Sequence, residues 1–286
     1  MTIRNPVEWT VDQFRGAGQS LGETSRGFRQ AQQDLPLHVP TIRRIELADL
    51  RDIIRRGYED FGENRTDVAM LCVFYPVVGL LLGRIASGYG LLPMLFPLAS
   101  GFALIGPFAA LGLYEISRRR EQGEETSWAN AFSVLQAPTL GSIVLLGGML
   151  VAIFLLWLAV AQGLYMITLG PDEPVSAGAF FHDVFTTRRG FGMIVAGIGI
   201  GFLFAVLVLG ISVIAFPMLL DREVGLETAV RTSVSAVLTN PVPMAAWGLI
   251  VAASLLLGSI PLFLGLVIVL PVLGHATWHL YRAVVH

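Results

Sequence analysis

His275 and His279 are the pair best placed to do chemistry in this sequence. A four-residue offset sets both imidazoles on one face of a helix. Two such rings can share a metal when further ligands arrive from other helices. No glutamate lies between them, so the helical zinc-protease pattern is absent. Neither can they clasp one haem as its two axial ligands, which must approach from opposite faces of the macrocycle. Trp278 and Tyr281 flank the pair, and amphipathic rings of this kind gather where a helix meets the headgroups. The expectation is an interfacial anchor, with a metal role as the competing reading.

The remaining candidates are weaker. His182-Asp183, near Asp172 and Glu173, offers at most an adventitious cation site, and His38 and His286 fall in tails. Cys72 is the single cysteine and lies in an apolar run, so neither a disulfide nor a two-cysteine metal site can form within the chain. It reads as a small buried hydrophobe. Asp67, Glu115 and Asp221 fall at the ends of apolar segments, where a solvated boundary role is expected. Arg118, Arg119 and Arg120 with Glu121, Glu124 and Glu125 read as a solvated charge run whose cheapest partner is an anionic headgroup. There is no Gly-x-Ser-x-Gly elbow, and every basic side chain is Arg, so a phosphate loop ending in Gly-Lys-Ser/Thr is impossible. No catalytic, cofactor-binding or metal-ligating residue is therefore assigned, and the chain is not expected to be an enzyme.

The elements that position these residues are set by hydrophobicity. Thr232 to Tyr281 runs fifty residues without Asp, Glu, Lys or Arg. As one helix it would be roughly 75 Å long against a hydrocarbon core of about 30 Å, so it must turn back. Gly258-Ser259-Ile260-Pro261 marks the turn, giving helices near 242–258 and 261–281. The whole chain agrees, with 286 residues, 54% hydrophobic and 14% charged, and a mean hydropathy of +0.68. The fold class is all-α and polytopic.

Taken in order, residues 1–45 read as a mobile tail and 46–286 as one membrane domain. Leu50, Ile53, Ile54, Tyr58 and Phe61 make one face of an amphipathic helix, lying on the membrane or packed under the bundle. Further spans are expected near 68–85, 92–113, 141–167 and 191–219. Trp128, Ala131, Phe132 and Leu135 mark a second amphipathic segment, and Leu226, Val230, Ser233, Val234 and Val237 a third. Phe180, Phe181, Val184 and Phe185 are spaced like a short interfacial helix on the opposite side. Six spans then form three helical hairpins, each led by an amphipathic segment. Gly101 with Pro107, Gly210 with Pro217 and Gly265 with Pro271 suggest a threefold repeat with a kink in each second helix. Gly197 and Gly201 suit close helix packing.

Sixteen of the nineteen Arg fall on the side of the two termini. The positive-inside rule places both termini in the cytoplasm. A net charge of −2 excludes the basic face that nucleic acid requires. The span interiors carry no Asp, Glu or Arg of the kind that marks an ion pathway.

Arg43-Arg44-Ile45-Glu46, the helix Leu50 to Phe61, Gly106-Pro107-Phe108, Gly112-Leu113-Tyr114-Glu115 and Ser117-Arg118-Arg119 resemble an uncharacterised bacterial integral-membrane family. The resemblance covers about residues 43–283, and its motifs are structural. Some members carry the label of a cytochrome c oxidase subunit, which implies residence in the bacterial inner membrane beside a respiratory complex. This chain lacks the intramembrane His set for haem and copper and the paired Cys of a binuclear copper site. The expected function is a non-catalytic membrane subunit or scaffold in contact with the lipid bilayer and with a complex such as a cytochrome oxidase. The alternative is a small-solute or lipid-handling transporter.

Overall fold

The computed structural model describes residues 40–72, 92–124, 126–170, 176–261 and 263–286, with isolated positions at 77, 81, 84 and 174. Residues 1–39 of the expected tail and most of the expected first span lie outside them. Among the described residues the fold is helical throughout, apart from one isolated bridge between Ile42 and Val285.

Helix α1 runs from Leu47 to Cys72. Its buried stripe is Leu50, Ile53, Gly57 and Asp60, whereas Tyr58, expected on that face, is 62% exposed. Gly57 and Asp60 continue the helical period of Leu50 and Ile53 without being apolar, so a stripe traced through apolar residues alone is rotated. A Cβ on Gly57 would come within 2.6 Å of Ala276, which means that α1 lies backbone-close against the last helix, under the bundle.

The expected second span is broken into α2 (Leu95–Leu104), α3 (Gly106–Ala109) and α4 (Leu111–Glu121). Pro107 sits in the first turn of α3, where its missing N–H costs nothing. A 3₁₀ helix, Trp128–Gln136, follows. Three residues per turn place Ala131 and Val134 inward and leave Phe132 and Leu135 exposed, which corrects the face expected from an α-helical period.

Helices α5 (Leu140–Thr168), α6 (Ala177–Thr186), α7 (Arg188–Ser212), α8 (Ala215–Asp221), α9 (Leu226–Thr239), α10 (Pro241–Ser259) and α11 (Leu266–Val284) complete the chain. Among the described residues three stretches are long and apolar enough to cross a membrane: Leu140–Thr168, Arg188–Asp221 and Pro241–Ser259. They match the third, fourth and fifth expected spans. The sixth is not among them: the second half of α11 carries His275, Thr277, Trp278, His279, Tyr281 and Arg282 and packs against α1. Gly258 also differs from expectation. It lies inside α10, and a Cβ on Gly265 would stand 2.7 Å from its Cα, so both glycines serve the close approach of two helix ends. Turn residues are described at 260–261 and 263–265.

Glycine against aromatic packing joins the spans. Gly147 of α5 receives Phe108, Gly101 of α2 receives Phe154, and Gly201 of α7 lies 3.2 Å from Trp157 by its notional Cβ. The outward faces remain apolar and exposed, as at Leu155 and Leu156 of α5, Phe202 and Leu203 of α7, and Leu249 and Leu256 of α10. Where α7 gives way to α8, residues 213–216 are wholly interior. The Ile214 N–H freed by that break donates to Ser233 Oγ of α9 at 3.2 Å.

Candidate functional site

Asp60 of α1, Ser117 and Arg120 of α4, and His275 and His279 of α11 meet at one buried point. Gly57 and Ala276 bring the two helices close enough for short side chains to touch across them. The four-residue offset on α11 then aims both imidazoles at Asp60, which is only 5% exposed. His279 Nε2 lies 3.0 Å from Asp60 Oδ2. Ser117 Oγ donates to the same oxygen at 2.5 Å and lies 2.7 Å from His275 Nδ1. Arg120 pairs with Asp60 Oδ1 and also reaches Glu63. His275 is completely buried, and among the described residues its Nε2 has no hydrogen-bond partner. Burial alone would raise the Asp60 carboxyl. Hydrogen bonds from His279 and Ser117 outweigh it and hold the group below its usual range.

Two further knots surround this one. Glu115, 1% exposed, accepts from Arg118 Nε at 2.8 Å, Arg119 Nε at 2.7 Å and Ser133 Oγ at 2.9 Å. Its burial favours the neutral form, and the two guanidinium hydrogen bonds prevail, so its carboxyl also stays below the ordinary value. On the other flank Trp278 Nε1 and Arg282 Nε both donate to Glu121, at 3.0 Å each. Tyr281 donates its hydroxyl proton to Asp221 at 2.6 Å. A cleft of about 570 Å³ opens beside these groups, lined by Arg43, Arg56, Arg222, His279 and Arg282 among others.

These contacts overturn three expectations. His275, Trp278 and Tyr281 are 0–1% exposed and bonded into the protein, so they do not form an interfacial belt. Glu115 is interior, not a solvated boundary group. Arg118 to Arg120 are committed to buried carboxylates and are three-quarters covered. Among the described residues no three His, Cys, Asp or Glu side chains are grouped as a metal site. His182 and Asp183 lie exposed on α6 at 3.6 Å. The side chains of Asp67 and Cys72, together with Asp172 and Glu173, are outside the described residues.

Sequence reasoning missed Asp60, although a signal was present: it stands ten residues after Leu50 and seven after Ile53, on the stripe those residues define. Nothing local says that its partners are 57 and 219 positions away.

Residues 95–221 match the model of a family described as predicted integral membrane protein (DUF2189). Over that stretch the chain is similar to an uncharacterised family of integral membrane proteins. The matched stretch of the DUF2189 model begins with α2 and ends with α8, so it includes Ser117, Arg120 and Glu115 and two of the three apolar stretches. Asp60, His275 and His279 lie beyond it. No curated protein and no solved structure matches the chain.

Proposed function

We propose that this integral membrane protein is a non-catalytic subunit or scaffold, accessory to a respiratory or other bioenergetic complex in a bacterial inner membrane. The observation that carries the reading is the division of labour between its surfaces. Buried Asp60, Ser117, Ser233 and Asn240 tie separate segments of the chain together, while α5, α7 and α10 turn broad apolar faces outward. Small-residue helix faces and exposed apolar ones suit lipid and neighbouring membrane helices.

The same reading takes six spans arranged as three hairpins, with both termini in the cytoplasm. The antiparallel Ile42–Val285 bridge supports it, because it draws the segment before α1 to the chain's last residues. The transporter alternative draws support from the helix breaks at 105, 110 and 213–214 and from the cleft beside His279. The deciding experiment is mild-detergent purification from native membranes, followed by native electrophoresis, mass spectrometry and an absorption spectrum. Co-migration with a larger complex supports the subunit reading. A particle containing this chain alone overturns it, and solute uptake into reconstituted liposomes then tests the transporter.

A further inference from the structure

We propose that the cleft beside His279 binds a phosphate group, carried either by an anionic lipid or by a small soluble compound. The arginines expected to meet headgroups, Arg118 to Arg120, are turned instead to buried carboxylates. Other arginines take that place. Arg43 before α1, Arg56 on α1, Arg222 after α8 and Arg282 on α11 come from four separate segments and line one cleft of about 570 Å³. That volume lies within the roughly 300–1,000 Å³ usual for small-molecule sites.

What the cleft can hold follows from which of its charges are already matched. Its acidic side chains are each engaged. Asp49 Oδ2 accepts the Glu46 N–H at 2.8 Å, Asp52 pairs with Arg55 at 3.4 Å, and Glu121 accepts from Trp278 and Arg282. Arg282 also stands 3.5 Å from Asp221. Arg222 donates to the Tyr281 hydroxyl at 3.1 Å and lies 3.5 Å from His286 O. Arg43 and Arg56 differ. Arg43 forms its hydrogen bonds through the main chain, to Val284 O and from the Asn240 amide. Among the described residues neither guanidinium has a hydrogen-bonding or ionic partner. Two planar forks, rich in donors and without an acceptor, are thus left at one cleft.

His279 supplies a third polar group. Its ring is only 14% exposed and is held by Asp60 Oδ2, 3.0 Å from Nε2. With Nε2–H donating to that carboxylate, the other ring nitrogen is left over, and among the described residues Nδ1 has no partner. The ring lines the cleft. Nδ1 can accept from a protonated phosphate oxygen or, on an imidazolium, donate to an anionic one. Three groups arriving from three segments call for an acceptor with more than the two oxygens of a carboxylate, and guanidinium forks match phosphate geometry. A lipid headgroup and a soluble phosphate offer the same oxygens.

The test uses the full-length protein in neutral detergent micelles and reads the thermal unfolding midpoint, which a ligand bound only by the folded state raises. One arm dopes the micelles with phosphatidylglycerol against phosphatidylcholine. The other adds inorganic phosphate against chloride at equal ionic strength. A concentration-dependent rise with phosphatidylglycerol alone assigns the site to a lipid headgroup, and a rise with inorganic phosphate assigns it to a soluble phosphate. In either case Arg43→Gln with Arg56→Gln should weaken the apparent affinity by about tenfold or more. Arg44→Gln with Arg51→Gln removes the same charge from exposed positions outside the cleft and should leave the affinity nearly unchanged. His279→Gln keeps a donor toward Asp60 but removes Nδ1, and it should weaken binding too. No rise with either probe, or an equal loss in the two arginine pairs, overturns the proposal. Neither arm needs a partner complex, so the outcome is separate from that of the subunit reading.

Discussion

A single carboxylate holds three helices together at Asp60. Removing its charge leaves Arg120 and His279 facing a partner that no longer balances them. Breaking a buried pair from one side costs about 3–5 kcal/mol. Asp60→Asn should therefore lower the unfolding midpoint in detergent, whereas Tyr58→Ser on the exposed face should leave it nearly unchanged. The pH dependence has a definite sign. The folded carboxyl is held below its usual value, so on acidification the unfolded chain takes up the proton first. Its contribution is complete above about pH 4 and is lost as the pH falls through the lower folded value. A stability scan should bend downward below about pH 4. Asp60→Asn should flatten most of that bend, with Glu115 supplying what remains. Gly57 is the complementary case. A side chain there meets Ala276 at backbone distance, and overpacking of this kind costs about 1–3 kcal/mol. Gly57→Val should make α1 separately accessible to limited proteolysis before the apolar helices unfold.

At the scale of elements, a break matters more than the helices on either side of it. The Ile214 N–H at the α7–α8 junction is satisfied by Ser233 in the core. Leaving a buried donor without its partner costs about 1–3 kcal/mol, so Ser233→Ala should destabilise by that amount in thermal or denaturant unfolding. Ser233→Thr keeps the hydroxyl and should recover most of it. The same scale shows what could be read from the sequence. Apolar length places α5, α7 with α8, and α10, since a membrane span is specified by a property averaged over some twenty residues. The boundaries of α11 and the 3₁₀ helix were not legible in this way. Pro271 and a run of uncharged residues read as a span, whereas the burial of His275, Trp278, His279 and Tyr281 comes from α1, α4 and α8, elements far away in the sequence. Pairing of that kind is a tertiary fact, and hydropathy carries no trace of it.

For the whole molecule, polar knots gather at one end and apolar faces spread from it. Single cysteines at Thr41 and Ser176, introduced after Cys72→Ser, test this arrangement in sealed vesicles with a membrane-impermeant thiol reagent. Opposite sidedness is expected, with Thr41 cytoplasmic. Labelling of both from the same side would refute the six-span orientation.

The knot that ties the first segment to the last also orders events in time. Asn240 Oδ1 accepts from the Ile45 N–H, and its amide reaches Arg43 O. Arg43 N donates to Val284 O, and His286 N to Thr41 O. During translation at about 5–20 residues per second, Ile45 leaves the ribosome on the order of ten to forty seconds before Asn240 does. Throughout that interval α1 carries Asp60 without His275 or His279 to meet it. Closure of the belt is thus a late event in biogenesis. A chain halted before α11 would present an unlatched α1 to the cell's proteases, which gives the membrane a local means of telling finished molecules from abandoned ones.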